Sequence, residues 1–379
     1  MPSIETLTIE GYRSIGAMIG MKFGPLSIVV GANGAGKSNL VSFLRLLQEL
    51  GHGRLQMLIS KMGSADPLFH QGIANTKQIK CDLRSENFRY TLRLQSTDAE
   101  SLVIRSERIG EPADKQSFVV SDFDSESRLS PAKQSRPLSP DETPSFSSEL
   151  IDDVRKLLRG IRVHHFHDTD ASAAMRRSCG IDQTERLHHD GSNLAAVLYD
   201  LRTNHPKRFD TILRSLKRIA PFVQDINFSH DKGGVEDRIR IIWTQVGSEY
   251  RFNAQHFSDG TIRFLCILVA IFQAKPPGML VIDEPELGLH PEAVALLAGL
   301  LNSASHRMQL VVTTQSPMLL SQFTPDDVIT VDQRNGCSDF RRLDGKRLTK
   351  WLKDYSLGEI WQKGLMDAEV QSIVEWTDE

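Results

Sequence analysis

Apolar and polar positions trade places with two different periods in the first hundred residues. From Ser3 to Tyr12 apolar side chains (Ile4, Leu7, Ile9) alternate with polar ones, Gly16 to Phe23 has the same extended character, and Leu26-Ser27-Ile28-Val29-Val30 is an apolar run that predicts a buried strand, so the chain opens as a sheet. From Ser38 to Leu47 the apolar residues recur at helical spacing instead. Gly51 to Gly72 is mixed and glycine-rich. Gln78 to Gln95 and Ser101 to Arg108 then return to alternation with β-branched content, which predicts antiparallel strands in a β-rich sublobe.

The middle of the chain changes character twice. Between Glu111 and Ser148 the residues are mostly Ser, Pro, Asp and Lys, with the turn-rich run Leu138-Ser139-Pro140-Asp141-Glu142-Thr143-Pro144, which predicts a mobile loop. Helical spacing resumes at Leu150, Ile151, Val154, Leu157 and Leu158, Ile161 to His167 alternates like a strand, and two further helices follow. One starts after Asp190-Gly191-Ser192-Asn193; the other has Pro206 in its first turn and carries the stripe Phe209, Ile212, Leu213, Leu216, Ile219. This predicts a largely helical insertion that packs as a lid on the core. Strand character returns between Asp225 and Arg251, centred on Arg238 to Trp243. A strongly apolar helix, Ile262 to Phe272, and two apolar strands, Met279 to Asp283 and Leu310 to Thr314, complete the pattern. The domains read from it are an N-terminal lobe over 1–110, a loop over 111–148, a helical lid over 149–224, a C-terminal lobe over 225–335 and a tail over 336–379.

Composition adds little beyond exclusion. Of 379 residues 40% are hydrophobic and 25% charged, with a formal net charge of −3, so a large core can form and nothing in the bulk charge draws the chain to nucleic acid. The longest apolar run, Phe264 to Phe272, is far short of the roughly 20 residues that cross a bilayer, and the N-terminus lacks a signal-like segment, so a cytoplasmic protein without a membrane partner is expected. The four cysteines, Cys81, Cys179, Cys266 and Cys337, are scattered, as reduced thiols are.

The chemistry sits where apolar strands end. Gly31-Ala32-Asn33-Gly34-Ala35-Gly36-Lys37-Ser38 matches G-x-x-x-x-G-K-[ST] at every fixed position and lies between a strand and a helix, the context that makes the pattern specific. Its glycines allow successive N–H groups to turn inward around phosphates, the helix N-terminus adds its dipole, Lys37 reaches the β- and γ-phosphates and Ser38 can ligate magnesium. The segment Asn33 to Asn39 is therefore expected to hold ATP. Met279 to Glu284 is an apolar strand ending in two carboxylates: Asp283 to hold magnesium, usually through water, and Glu284 to orient or deprotonate the attacking water. Phe257-Ser258-Asp259-Gly260-Thr261 opens the apolar helix with a hydroxyl and a glycine. Gln315 follows the strand Leu310 to Thr314. In an open parallel sheet ligands lie beyond the carboxyl ends of the strands, so Ser38, Asp283 and Gln315 can converge on one phosphate.

The order of P-loop, Ser-x-Gly signature, Walker B with adjacent Glu, D-loop and switch strand resembles the ATP-binding-cassette ATPases, and within them the RecF, SMC and OLD branch, above all compact RecF-like "predicted ATPases". Gly11-Tyr12-Arg13-Ser14, Asp283-Glu284-Pro285-Glu286-Leu287-Gly288-Leu289-His290-Pro291 and Thr313-Thr314-Gln315-Ser316-Pro317 carry the resemblance, which covers about 1–75 and 225–335 strongly. It implies an α/β P-loop NTPase core, ATP and Mg2+ as cofactors, Arg13 and Ser14 near the nucleotide, Ser258 and Gly260 on the γ-phosphate of an opposite subunit, and two ATPs sandwiched in a head-to-tail homodimer. It further implies slow ATP hydrolysis coupled to DNA handling or to an operon-encoded effector or nuclease protein, in genome maintenance or phage defence. A transporter ATPase subunit and a non-hydrolysing nucleotide-sensing scaffold are the alternatives. The chain lacks the long heptads of a coiled-coil SMC protein and does not continue far enough past Gln315 for the nuclease domain of OLD proteins.

Two departures stand out. The switch position, commonly His, is Gln315, which hydrogen-bonds but cannot shuttle a proton as imidazolium. Asp259 sets a negative charge in the signature, so its side chain is expected to point away from the triphosphate. Gln71, in Phe69-His70-Gln71-Gly72, is the candidate Q-loop ligand of magnesium. The clusters His164-His165-x-His167-Asp168 and His188-His189-Asp190 are not assigned a metal, because strand alternation puts His165 and His167 on one face and His164 on the other. Arg176, Arg177, Arg186, Lys207, Arg208, Arg214, Lys217 and Arg218 are read as solvated charge.

Overall fold

A computed structural model of the chain describes residues 2–97, 100–112, 117–129, 147–231 and 237–366. Leu26–Val30 is buried at every position and lies inside a six-stranded sheet with the order Cys337–Arg342, Val328–Arg334, Leu26–Val30, Gln309–Thr314, Met279–Asp283, Ile161–His164. All neighbours are parallel except the first pair, a hairpin. The strands are apolar runs rather than alternating ones because both faces of a parallel sheet are covered. Ile28, Val30, Leu280, Ile282 and Val312 face one core, shared with the helices Leu194–Asn204, Pro206–Ile219, Asp259–Phe272 and Pro291–Ser305. Val29, Val163, Val281 and Val311 face the other, shared with the helix Lys37–Gly51 and the β-sublobe. The helix Asp259–Phe272 is buried from Thr261 to Ile271 on its whole circumference, which is why its sequence shows no polar stripe.

The β-sublobe is a second, antiparallel sheet, Ile15–Lys22, Thr6–Tyr12, Gln78–Arg84, Arg89–Ser96, Leu102–Gly110 and Ser117–Ser121 in that order. The opening expected as one sheet is thus divided between two. Thr6–Tyr12 alternates and needs one apolar side, whereas Leu26–Val30 is apolar on both and joins the core sheet. A small third sheet pairs Val223–Asp231, Arg238–Gln245 and Arg251–Asn253, with Cys179–Gly180 against Arg238–Gln245.

Three of the expected divisions differ from the structure. Part of the loop expected over 111–148 is ordered: Ser117–Ser121 pairs with Leu102–Gly110, and buried Ser127 donates to both carboxylate oxygens of Glu107. Phe118, Val119 and Val120 supply the strand character that the surrounding polar residues hid. The remainder of that loop, 113–116 and 130–146, lies outside the described residues, as do 367–379 of the tail. The lid expected over 149–224 contains Ile161–His164, which pairs with Met279–Asp283 as the edge of the core sheet, because Ile161 and Val163 are buried in the core on the P-loop helix side. The boundary at 335 falls within the Asn335-Gly336 turn of the edge hairpin, both residues left-handed at φ 51° and 78°.

Arg176 ties the helical insertion to the residues that precede the buried helix. Its side chain is 3% exposed and donates to the carbonyls of Thr169 (2.9 Å), Ala254 (2.9 Å) and Phe257 (2.8 Å), and to Asp259 Oδ1 at 2.7 Å. Sequence alone reads it as solvated charge, since three of these four partners lie some eighty residues away. A buried acceptor left without a donor costs about 1–3 kcal/mol. Three carbonyls share the loss, so Arg176→Leu should lower unfolding stability by about 3 kcal/mol or more. Urea denaturation of the two proteins measures this, and coincident midpoints would mean that water replaces the guanidinium at no cost.

Candidate functional site

The register of the core sheet fixes the site. Asp283 pairs with Thr313, Thr314 with Val30 and Ile282 with His164, so four neighbouring strands end at the same edge and their loops share one crevice.

From the first of these strands the chain turns through Gly31–Gly36 into the helix Lys37–Gly51. Gly36 has φ 118°, and a Cβ there would stand 2.0 Å from Ser338 Oγ, so both conformation and space demand glycine. Lys37 Nζ donates to the carbonyls of Gly31 (2.7 Å) and Ala32 (3.0 Å). Burial pulls its ammonium below the usual lysine range, and the carboxylates of Glu284, Asp283 and Glu286 oppose that pull. Asn33, Gly34 and Ser38 are exposed at the mouth, while Ala35 is buried. Ser14 Oγ lies 2.6 Å from Ser338 Oγ and accepts from Asn39 Nδ2 at 2.6 Å, which pins the Arg13–Ser14 turn to the start of the helix. Arg13, at φ 46°, keeps a buried Nε with no partner among the described residues. Gln71 neighbours this turn through His70, whose Nδ1 is 2.6 Å from the Arg13 carbonyl, but Gln71 itself is exposed at φ 56°. Among the described residues no hydrogen bond joins its side chain to Ser38 or Asp283, so the structure does not tie it to the group.

At the end of Met279–Asp283, Asp283 Oδ1 accepts the Thr313 hydroxyl, and Oδ2 faces His165 Nδ1 at 3.4 Å and His167 Nε2 at 3.5 Å. Burial raises the Asp283 pKa, but the two imidazoles and the Thr313 hydroxyl outweigh it and hold the carboxyl well below the usual range. The same carboxylate holds the His167 imidazole above its usual value. Glu284 has left-handed backbone, φ 45°, its N–H donating to Thr313 O at 3.1 Å. A non-glycine residue in that region carries about 1–3 kcal/mol of strain, held here by the pairing behind it. The Glu284 carboxylate accepts the Gln315 side-chain amide. Glu286 Oε1 accepts from the Thr314 hydroxyl at 2.5 Å and the Gln315 N–H at 3.3 Å, and burial raises its pKa.

Sequence reading did not single out His165, His167 or Glu286 for this group. The alternation that places His165 and His167 on one face is what brings both rings to Asp283. His164, on the other face, is buried with Nδ1 3.2 Å from the His188 carbonyl, and burial lowers its pKa to about 4. What sequence lacked was the neighbour: only the pairing of Ile161–His164 with the Asp283 strand makes the cluster visible.

Ser258 caps the buried helix, accepting from Thr261 N at 3.2 Å, and is exposed. Asp259 turns to Arg176, which disposes of its charge. Gly260 touches the D-loop: a Cβ on it would be 2.5 Å from the Gly288 carbonyl. One turn on, buried Arg263 donates to the carbonyls of Phe166 (2.8 Å), His167 (3.2 Å) and Leu287. No helix among the described residues is long and apolar enough to cross a membrane.

Residues 26–321 match the family described as "AAA domain, putative AbiEii toxin, Type IV TA system". No curated protein matches the sequence significantly. Among solved structures, the chain is similar to an SMC head bound to the C-winged helix domain of ScpA, with TM-score 0.53 and 17% identity over 92% of this chain and 100% of that one. It is also similar to the Smc head domain of Pyrococcus furiosus bound to the C-terminal domain of ScpA, with TM-score 0.49 and 15% identity over 93% of this chain and 99% of that one. At such identity the first of these speaks for the fold alone, and the second adds no argument. The family match spans most of the chain, from the P-loop strand past the switch strand, and the chain accordingly belongs to this AAA-domain family, with the fold of an SMC-head-like P-loop ATPase.

Proposed function

We propose that the protein is a magnesium-dependent ATPase whose nucleotide is held between two copies of the chain, and whose turnover is coupled to an effector protein or to DNA. The observation that carries this reading is the convergence, at one edge of the core sheet, of Lys37, Asp283 and Glu284, with Gln315 hydrogen-bonded to Glu284. Phosphoryl transfer needs a positioned water and neutralised phosphate charge rather than covalent chemistry, and these side chains supply a cation, a metal-binding carboxylate and a base. Lys37 now rests on two loop carbonyls, for which a triphosphate would substitute anionic oxygen. Arg13, whose turn is pinned to the helix start through Ser14 and Asn39, supplies a second cation near the nucleotide.

The Ser38 hydroxyl and the Asp283 carboxylate are hard oxygen donors of the type Mg2+ prefers, so the residues present fit the ion. When bound with ATP, it neutralises charge on the β- and γ-phosphates. Glu284 is the base for the attacking water, and the Gln315 amide fixes its carboxylate. That contact gives Gln315 a role without the imidazole that related switch positions carry. Ser258 and Gly260 sit at an exposed helix N-terminus that suits the γ-phosphate of a second copy of the chain. The family description names a Type IV toxin–antitoxin system. This favours an operon-encoded effector, as in a defence module, over a membrane transporter as the partner of the ATPase cycle.

Glu284→Gln should bind ATP with unchanged affinity and hydrolyse it at least about a hundredfold more slowly, the scale of losing a general base; wild-type turnover would assign the water to another residue. Ser258→Arg adds bulk and charge at the exposed helix start. It should keep one-to-one ATP binding and lose both ATP-dependent dimerisation and most hydrolysis. Sedimentation with and without ATP reads the first effect, and a variant that dimerises and turns over normally would overturn the sandwich.

A further inference from the structure

The imidazoles of His165 and His167 have no place in the ATPase chemistry derived above, yet both meet Asp283. The distances separate two explanations. A direct N–H···O hydrogen bond spans about 2.7–3.2 Å, whereas His165 Nδ1 and His167 Nε2 stand 3.4 and 3.5 Å from the same oxygen, Asp283 Oδ2. Around an ion held at about 2.0–2.2 Å, neighbouring ligand atoms are separated by about 3.0–3.5 Å, the edge of a coordination polyhedron. All three ligand atoms lie within 4.8 Å of one another. The two edges that meet at Asp283 Oδ2 have the spacing of ligands around an ion.

The group is also held in place from behind. Thr313 occupies Asp283 Oδ1, which leaves Oδ2 for the two rings. The backbone that carries the rings is fixed on both sides: His165 N–H donates to the His189 carbonyl at 3.0 Å, and Arg263 grips the carbonyls of Phe166 and His167. Such outer contacts orient metal ligands and are part of any built site. His165 and His167 are 31% and 40% exposed, so an ion can enter and keep open positions for water or phosphate oxygen.

We propose that His165, His167 and Asp283 form a facial site for a first-row transition-metal ion of the Mn2+, Co2+ or Zn2+ class at the ATPase centre. Two imidazoles and one carboxylate suit these ions; Mg2+ selects oxygen donors and retains its waters. The inference shares Asp283 with the nucleotide reading but does not need a nucleotide, and it therefore predicts metal binding by the free protein.

The test is a Co2+ titration of the full chain, prepared without a polyhistidine tag and free of nucleotide and Mg2+, read by visible d–d absorption. Wild type should bind one Co2+ and gain thermal stability from it. His165→Gln and His167→Gln should each weaken binding by more than about tenfold, since even outer-shell losses cost that much. The double variant should show neither the absorption nor the shift in Tm, while its metal-free Tm reports whether it is folded. Lys37→Ala, which removes a positive charge near Asp283, should bind Co2+ at least as tightly as wild type while losing ATP, so loss of ATP binding in that variant and loss of Co2+ binding in the histidine variants report on separate readings. Equal Co2+ affinity in wild type and folded double variant, or no Co2+ binding by wild type, would overturn the metal site and leave the imidazoles as ordinary partners of the carboxylate.

Discussion

The parallel, in-register pairing of four short strands is the constraint on which the site depends. Ile161–His164, Met279–Asp283, Gln309–Thr314 and Leu26–Val30 come from widely separated parts of the chain, and nothing local holds their ends level. Their pleat sends alternate side chains into two separate apolar cores. A slip of one residue would exchange those faces and strand buried side chains against the wrong layer. Packing on both sides thus locks the register. The chemistry inherits that lock, because Lys37, Glu284, Gln315 and the two histidines each follow one of these strands within a few residues.

Legibility in the sequence tracked how local each signal was. The P-loop needs only its own glycines and the strand and helix beside it, and Gly36 shows why: its φ and its contact with Ser338 admit no side chain. The apolar strands and the helix Asp259–Phe272 were equally plain, being buried all round. Features that depend on a remote neighbour were not. Ile161–His164 alternates like a strand, but its place at the edge of the core sheet rests on Met279–Asp283, more than a hundred residues later. The charge of Arg176 reads as surface, because most of the groups that surround it belong to another segment. Ser117–Ser121 lay hidden in a polar stretch, where three apolar residues suffice once Leu102–Gly110 offers an edge.

The similarity to SMC heads and the family match agree on the core and leave the additions to be read from the residues themselves. Where the buried helix begins, the acidic Asp259 is answered by Arg176, a residue of the insertion. After Gln309–Thr314 the Gln315 amide meets Glu284, while two imidazoles reach Asp283 from a different strand altogether.

Arg263 gives this arrangement a mechanical property. One guanidinium holds the carbonyls of Phe166 and His167 in the histidine segment and that of Leu287 in the D-loop, while its own backbone belongs to the helix that Ser258 caps. The histidine segment and the D-loop are thereby tied to that helix at a single buried point. The position of the helix and the position of the segment that carries the two rings beside Asp283 are therefore linked through one side chain rather than set independently.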